Sequence, residues 1–221
     1  MAPVSMSWEP PAVDGPALLR TSRLVLRPLE DGQVDELFAL TSDPATARYD
    51  PALLHTDRSQ ATALVRRAAT GRQRCGLAPW LLHLRGGHAP APEGPARRLL
   101  GAGAPPASSP WGPLVGYGGC SLLRNAAWNL SYRLAPRWWG RGLAQELIAA
   151  ARRAAADVRP DLPVVAALLE GDAPSLRAAE RAGLRRVWTG PDAHGPDPDA
   201  VLLLLADRPV DGDLVTALTR A

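Results

Sequence analysis

The junction at residues 128–156 constrains the fold more than any other part of the chain. Trp128-Asn129-Leu130-Ser131-Tyr132-Arg133-Leu134 alternates apolar and polar side chains without a break. That is the period of a half-buried strand, with Trp128, Leu130, Tyr132 and Leu134 on its core face. Ala135-Pro136-Arg137-Trp138-Trp139-Gly140-Arg141-Gly142 follows, and from Gly142 to Ala156 the period becomes helical, with Leu143, Leu147 and Ala151 stacked beside Ala144 and Ile148. A strand that turns through glycines into a helix belongs to a mixed α/β sheet protein. The turn also has a chemistry. The first amides of a helix lack intrahelical acceptors and carry partial positive charge. Glycines let such backbone approach a diphosphate, and Arg137 and Arg141 add planar donors. A dinucleotide and the pyrophosphate of coenzyme A both fit. The dinucleotide pattern is incomplete: Gly140 and Gly142 are two of its three glycines, and Glu170 lies beyond the position, about 20 residues on, where its acidic residue is expected.

Composition removes several other classes. All 25 basic residues are Arg. Without Lys the chain has neither the phosphate-binding Lys of a P-loop nor the strand Lys of a protein kinase, and no Schiff base can form. The net charge is only +3, with Arg interspersed among Asp and Glu, so no broad nucleic-acid-binding face is indicated. The chain is 46% hydrophobic and 21% charged, which suits a globular protein, and no apolar run is long enough to span a membrane. Cys75 and Cys120 have no CxxC partner, and the four His show no spacing such as HExxH; neither a disulfide framework nor a metal site is predicted. The opening MAPVSMSWEPPAVDGP has no basic and apolar signal regions, so the reading is cytoplasmic.

At 221 residues the chain reads as one domain. Residues 1–17, with four prolines and no periodicity, are predicted to be a mobile tail, and residues 18–221 the folded unit. Leu24-Val25-Leu26 is a strand stopped by Pro28. Helices are predicted over Gly32–Thr41 and over Asp57–Thr70, the latter capped by Thr56 or Asp57 and followed by Gly71. Trp80–Leu84 is a strand. Residues 86–113 hold seven prolines and six glycines and read as a flexible insertion at a hairpin tip. Val115–Leu123 is a strand, Val164–Leu169 a central strand buried on both faces, and Asp172–Ala182 a short helix ended by Gly183. Arg185–Thr189 and Val201–Ala206 are short strands, and Asp213–Arg220 a terminal helix.

Three blocks resemble one family. Arg137-x-x-Gly140-x-Gly142 is similar to the [QR]-x-x-G-x-[GA] signature of the GNAT superfamily of acyl-coenzyme A-dependent N-acetyltransferases. Its wider context, Ser131 to Glu146, resembles the ribosomal-protein N-acetyltransferase branch. The segments from Asp172 to Arg185 and from Leu19 to Leu29 resemble that branch's "N..S....EK.GF." block and first strand, in the right order. The insertion and both tails lie outside the resemblance.

The resemblance implies a mixed, mostly antiparallel sheet with flanking helices, in which two central strands splay apart to admit the pantetheine arm. Acetyl-CoA would be the co-substrate and no metal would take part. Backbone groups of Leu134 and Ala135 would pair with pantetheine. The segment Arg137, Trp139, Gly140, Arg141, Gly142, Leu143 and Ala144 would hold the pyrophosphate, its backbone N–H groups from Trp139 to Ala144 pointing at it. Ser175 would protonate the departing thiolate, with local backbone bonding as its bland alternative. Asp172 replaces the family's Asn as a cofactor contact, and is equally good as a helix N-cap. Asn129 stands where many members have a Glu base and cannot take a proton at neutral pH; Glu146 and Glu170 are substitutes by sequence proximity only. These departures leave open a catalytically weak acyl-CoA-binding module. Arg133 replaces a frequent Trp and hints at a different acceptor pocket, to which Tyr49 and Trp80 are candidate contributors. The acceptor would be the amine of a protein N-terminus or of a small molecule, not a nucleic acid or membrane; homodimers are common in such families, and the sequence neither supports nor opposes one.

Overall fold

The computed structural model describes residues 7–8, 18–86, 111–193, 195–197 and 199–219. Its strands are β1 (Ser7–Trp8), β2 (Leu19–Arg20), β3 (Leu24–Pro28), β4 (Trp80–Leu84), β5 (Leu114–Leu123), β6 (Ala127–Leu134), β7 (Val164–Leu169), β8 (Arg185–Pro191) and β9 (Val201–Ala206). Its helices are α1 (Val34–Thr41), α2 (Arg58–Cys75), α3 (Leu143–Val158), α4 (Ala173–Arg181) and α5 (Gly212–Thr219). The strands form one sheet in the order β1-β2-β3-β4-β5-β6-β7-β9-β8. Every neighbouring pair is antiparallel except β6 and β7. This is the mixed, mostly antiparallel architecture that the sequence implied.

Alternation along the strands divides the core between the two faces of the sheet. Leu26, Leu82, Trp128, Leu130 and Leu134 pack with Leu143, Leu147 and Ile148 of α3. Leu81 points the other way, into a cluster with Val34 and Leu37 of α1 and Ala61 and Val65 of α2. α3 and α4 therefore cover one face, and α1 and α2 the other. β5 and β6 form a hairpin whose Arg124 and Asn125 are both left-handed (φ 49° and 57°), the geometry of a type I′ turn. Gly116 and Gly118 let β6 lie close: a Cβ on Gly116 would sit 2.2 Å from the Arg133 carbonyl oxygen.

Several boundaries differ from the sequence reading. A 3₁₀ turn, Asp31–Gln33, leads into α1, and β2 precedes the strand at Leu24. Pro28 is the last residue of β3, where its missing N–H is harmless. α2 is capped by Asp57, as predicted, in a box with Gln60, but runs through Gly71 to Cys75. An interior glycine costs about 1 kcal/mol, which a long buried face outweighs. Gly76 ends α2 in the left-handed conformation (φ 78°), with its N–H on the Arg72 carbonyl. The boundaries of α4, capped by Asp172 and followed by Gly183 at φ 91°, agree with the reading.

β4 and β5 pair antiparallel and enclose the Pro/Gly-rich insertion between them. Residues 87–110 of that insertion lie outside the described residues, as does the predicted tail at 1–17 apart from Ser7 and Trp8, which pair with Leu19 and Arg20.

β7 is where the sheet opens. It pairs with β6 only at Trp128 with Val164 and Asn129 with Val165, then continues against β9 as far as Leu169. Val164, Val165 and Ala166 are buried, but Ala167 is exposed and Leu168 and Leu169 are only partly covered. Burial on both faces thus holds for the first half of the strand alone, because the second half has left β6.

Candidate functional site

Beside the end of β6, beyond its pairing with β7, lies a cavity of about 420 Å³ lined by Tyr132, Arg133 and Leu134 of β6 and by residues at the starts of α3 and α4. Among the predicted cofactor residues, Leu134, Trp139, Gly140, Gly142, Leu143, Ala144 and Asp172 line it, together with Ser175. The other three do not. Ala135 is buried and its N–H donates to the Val115 carbonyl. Arg137 donates to the Leu114 carbonyl, and both it and Arg141 lie over the Trp138 ring, 5.7 and 5.5 Å from its centroid. The guanidiniums are held by an aromatic surface beside the turn, which is what two exposed arginines next to a tryptophan favour.

The turn itself starts α3 without a side-chain cap. Gly140 and Gly142 take φ of 72° and 75°, a conformation that L residues reach only at a penalty. Gly142 is the N-cap of α3 and supplies no side-chain acceptor, and the first amide to find an intrahelical partner is Glu146, bonded to the Gly142 carbonyl. The amides of Leu143, Ala144 and Gln145 therefore open onto the cavity at the positive end of a 16-residue helix. Trp139 leaves the predicted set of phosphate-facing amides: its N–H already donates to the Pro136 carbonyl, 3.0 Å away, in the 3₁₀ turn Pro136–Trp138. Its indole Nε1 donates to the Leu134 carbonyl at 2.7 Å and fixes the ring against the strand end.

Opposite the turn stands the start of α4. The Asp172 carboxylate accepts from the Ser175 backbone N–H at 3.0 Å, so the N-cap role is realised. This bond uses the Ser175 backbone and not its hydroxyl. Tyr132, expected in the core, instead lines the cavity and donates its hydroxyl to the Ser175 carbonyl at 3.1 Å. Burial pushes the Tyr132 phenol up to about 12, so it keeps its proton at neutral pH.

The far end of the cavity is made by the segment between α1 and α2. Thr46, Tyr49, Asp50 and Leu53 line it, with Arg133 from β6. Tyr49 stacks near Trp139 with ring centroids 6.0 Å apart. Trp80 is buried in β4 and does not reach the cavity. Sequence reasoning missed Asp50. Its Oδ1 accepts from Ala52 N and caps the 3₁₀ turn Pro51–Leu53, so by sequence it is only an Asp before a Pro in a loop. Burial raises its affinity for a proton, and the charges of Asp192 and Asp172 act the same way; the Ala52 N–H and Arg133 oppose them.

The other carboxylates considered from sequence are elsewhere. Asn129 lies where β6 still pairs with β5 and β7, away from the cavity lining. Glu170 is exposed after β7. Glu146 is buried in a structural clasp, accepting from Thr21 Oγ1, Arg23 N at 2.7 Å and Arg23 Nε at 2.8 Å. Arg23 also donates to the Arg141 carbonyl at 2.7 Å, so β3 and the glycine turn are joined through it. Cys75 and Cys120 are both free, and burial pushes the Cys120 thiol up to about 12. Among the described residues no helix is long and apolar enough to cross a membrane.

A glycine turn opening a helix beside diverging strands is the arrangement of an anion-binding site on a mixed α/β sheet, and comparison gives the family. Residues 23–185 match the acetyltransferase (GNAT) domain model, and the chain belongs to that family of acyl-CoA-dependent transferases. Among solved structures it is similar to a GNAT-family acetyltransferase from Bordetella pertussis, with 22% identity, a TM-score of 0.63, and 86% of this chain and 99% of that one covered. It is also similar to the Salmonella typhimurium acetyltransferase that modifies the N-terminal serine of ribosomal protein L7/L12 (16% identity, TM-score 0.60, 86% and 96% covered). A third is the Vibrio cholerae spermidine N-acetyltransferase in complex with CoA and spermine (12% identity, TM-score 0.58, 84% and 95% covered). At these identities the structural likeness speaks for the fold.

Proposed function

We propose that this chain transfers the acetyl group of acetyl-CoA to the primary amine of a small molecule or a protein N-terminus, by direct attack within a ternary complex. The observation that carries the reading is the uncapped start of α3 behind two left-handed glycines, opening onto the cavity beside the end of β6. Amides of Leu143, Ala144 and Gln145 would bind the pyrophosphate, and the β6 backbone at Leu134 the pantetheine arm. The amine would enter from the segment holding Tyr49 and Asp50. In the transfer the amine nitrogen bonds to the thioester carbon and the C–S bond breaks. Asp50 takes the proton that the nitrogen loses, the Ser175 hydroxyl gives one to the sulfur, and the proton held by Asp50 returns to the Ser175 oxygen through solvent, which restores both groups. Each proton transfer contributes about 10²–10⁴ in rate. A carboxylate in the cavity supports transfer over the catalytically weak CoA-binding module that Asn129 and Asp172 leave open.

A thermal shift series with acetyl-CoA, CoA, NAD and ATP tests the cofactor. A ligand at 100 times its dissociation constant adds about 2.7 kcal/mol to stability. Stabilisation by the two CoA species alone is expected, and stabilisation by NAD alone would overturn the reading.

A further inference from the structure

Resting on that reading, we propose that the acceptor is an amine that also carries a carboxylate, and that Arg133 is the residue that recognises the carboxylate. Arg133 is 6% exposed, yet it lines the cavity. Its Nη1 donates to the Leu53 carbonyl at 2.6 Å, and its guanidinium carbon lies 5.8 Å from the Tyr117 ring centroid. A guanidinium has five N–H donors and no acceptor. Here one donor meets a neutral carbonyl, and among the described residues Arg133 forms no ion pair. None of its other nitrogens is among the buried atoms left without a partner, so the remaining donors open on the cavity, where an anion can meet them. The planar fork selects a carboxylate, which it binds through two parallel hydrogen bonds.

The position of Arg133 assigns this anion to the acceptor and not to the cofactor. Side chains alternate along β6, so Arg133 leaves the strand on the face opposite Tyr132 and Leu134. Leu134 packs with α3 in the core cluster on the cofactor side, whereas Arg133 reaches the turn Pro51–Leu53 between α1 and α2. Asp50 caps that same turn and lines the same end of the cavity. A carboxylate and a guanidinium on one wall, close enough to feel each other's charge but not joined in an ion pair, match a molecule bearing both charges in the opposite sense. A polyamine with no carboxylate would satisfy Asp50 and be repelled by Arg133.

The test is CoA release from acetyl-CoA with matched acceptors: the L-amino acids beside their α-carboxamides, ω-amino acids of two to six carbons beside their amides, spermidine, and short C-terminally amidated peptides without acidic side chains. The wild-type protein and Arg133→Gln are compared; Gln keeps a donor for the Leu53 carbonyl. The expected result is at least one amino acid used about 100-fold better in kcat/KM than its amide. In Arg133→Gln that ratio falls to near one, while the thermal shift with CoA is unchanged. Equal use of acids and amides, or turnover confined to spermidine or the amidated peptides, overturns the proposal and leaves the acetyl-transfer reading intact. If CoA binds but no amine is acetylated, the acetyl-transfer reading fails instead. Calorimetric titration of the same amino acids into the CoA-loaded protein then decides this proposal: binding that Arg133→Gln abolishes supports it, and absence of binding overturns it.

Discussion

The Tyr132 hydroxyl donates to the Ser175 backbone carbonyl at 3.1 Å and ties β6 to the first turn of α4 across the opening between the strands. Tyr132→Phe removes that one bond and leaves the ring. The loss of about 1 kcal/mol is a factor of about five in any equilibrium it supports. Because the phenol keeps its proton at neutral pH, the effect is expected to be independent of pH from 6 to 9. Ser175→Ala serves as the contrast. The bond from Ser175 N to Asp172 survives it, so α4 keeps its cap, and only the hydroxyl is lost. Turnover is expected to drop by about 10²-fold with CoA affinity nearly unchanged. An unchanged rate in steady-state CoA release would leave Ser175 a structural residue.

Gly142→Ala isolates the contribution of the glycine turn. A Cβ there would meet only Arg23 Nη2, at 3.5 Å, which is ordinary contact. The folded apo protein therefore bears only the left-handed strain, about 1–2 kcal/mol. Any further loss reports crowding of the ligand. CoA affinity measured by calorimetry is expected to fall at least about tenfold, a difference of 1.4 kcal/mol. A variant that is less stable but binds CoA as tightly as the parent would move the phosphates away from this turn.

Asp50 makes a pH prediction. Burial, with Asp192 and Asp172, holds its proton affinity above the ordinary aspartate value of 3.8. If its carboxylate form accepts the amine proton, kcat falls as acid protonates it, on a limb lying above 3.8. Asp50→Asn still accepts from Ala52 N and preserves the turn, but it should lose that limb and about 10²–10⁴ in turnover. Asp50→Ala loses turnover equally and also gives up the cap, for about 1 kcal/mol of stability. An acid limb that persists in the Asn variant assigns it to another group.

The parts of this molecule legible in the sequence are those set by neighbouring residues. The alternation of Trp128 to Leu134, the helical stripe of Leu143, Leu147 and Ala151, and the cap at Asp172 are local patterns, and all of them formed. Gly71 was misleading because a glycine inside a helix and one just after it look alike in sequence; only the positive φ at Gly76 distinguishes them. Tyr132 has the period of a core residue and is one on its ring side, while its hydroxyl reaches the cavity because β7 diverges. Asp50 and Arg133 carry no motif at all. They are 83 positions apart, and they share a cavity wall only because the turn at Pro51–Leu53 docks on Arg133.

Glu146 supplies the last prediction, which concerns stability. Its side chain is 4% exposed and takes hydrogen bonds from Thr21 and twice from Arg23, whose own side chain is about a third exposed. Burial alone would raise its pKa, but the hydrogen bonds from Thr21, Arg23 and Ser22 together outweigh burial and hold it below the ordinary 4.5. A carboxylate whose folded value is depressed contributes stability that is fully present above 4.5 and is lost as pH falls through the folded value. Glu146→Ala is expected to cost about 3 kcal/mol at pH 7, since it leaves buried donors without an acceptor. Because Arg23 also holds the Arg141 carbonyl, the loosened clasp should weaken CoA binding without any change at the amides of α3. Urea denaturation at pH 7 and pH 3.5 measures the first effect: the gap between wild type and Glu146→Ala should narrow at the lower pH. A gap that stays constant between the two would mean that the clasp works through packing and not through the charge of Glu146.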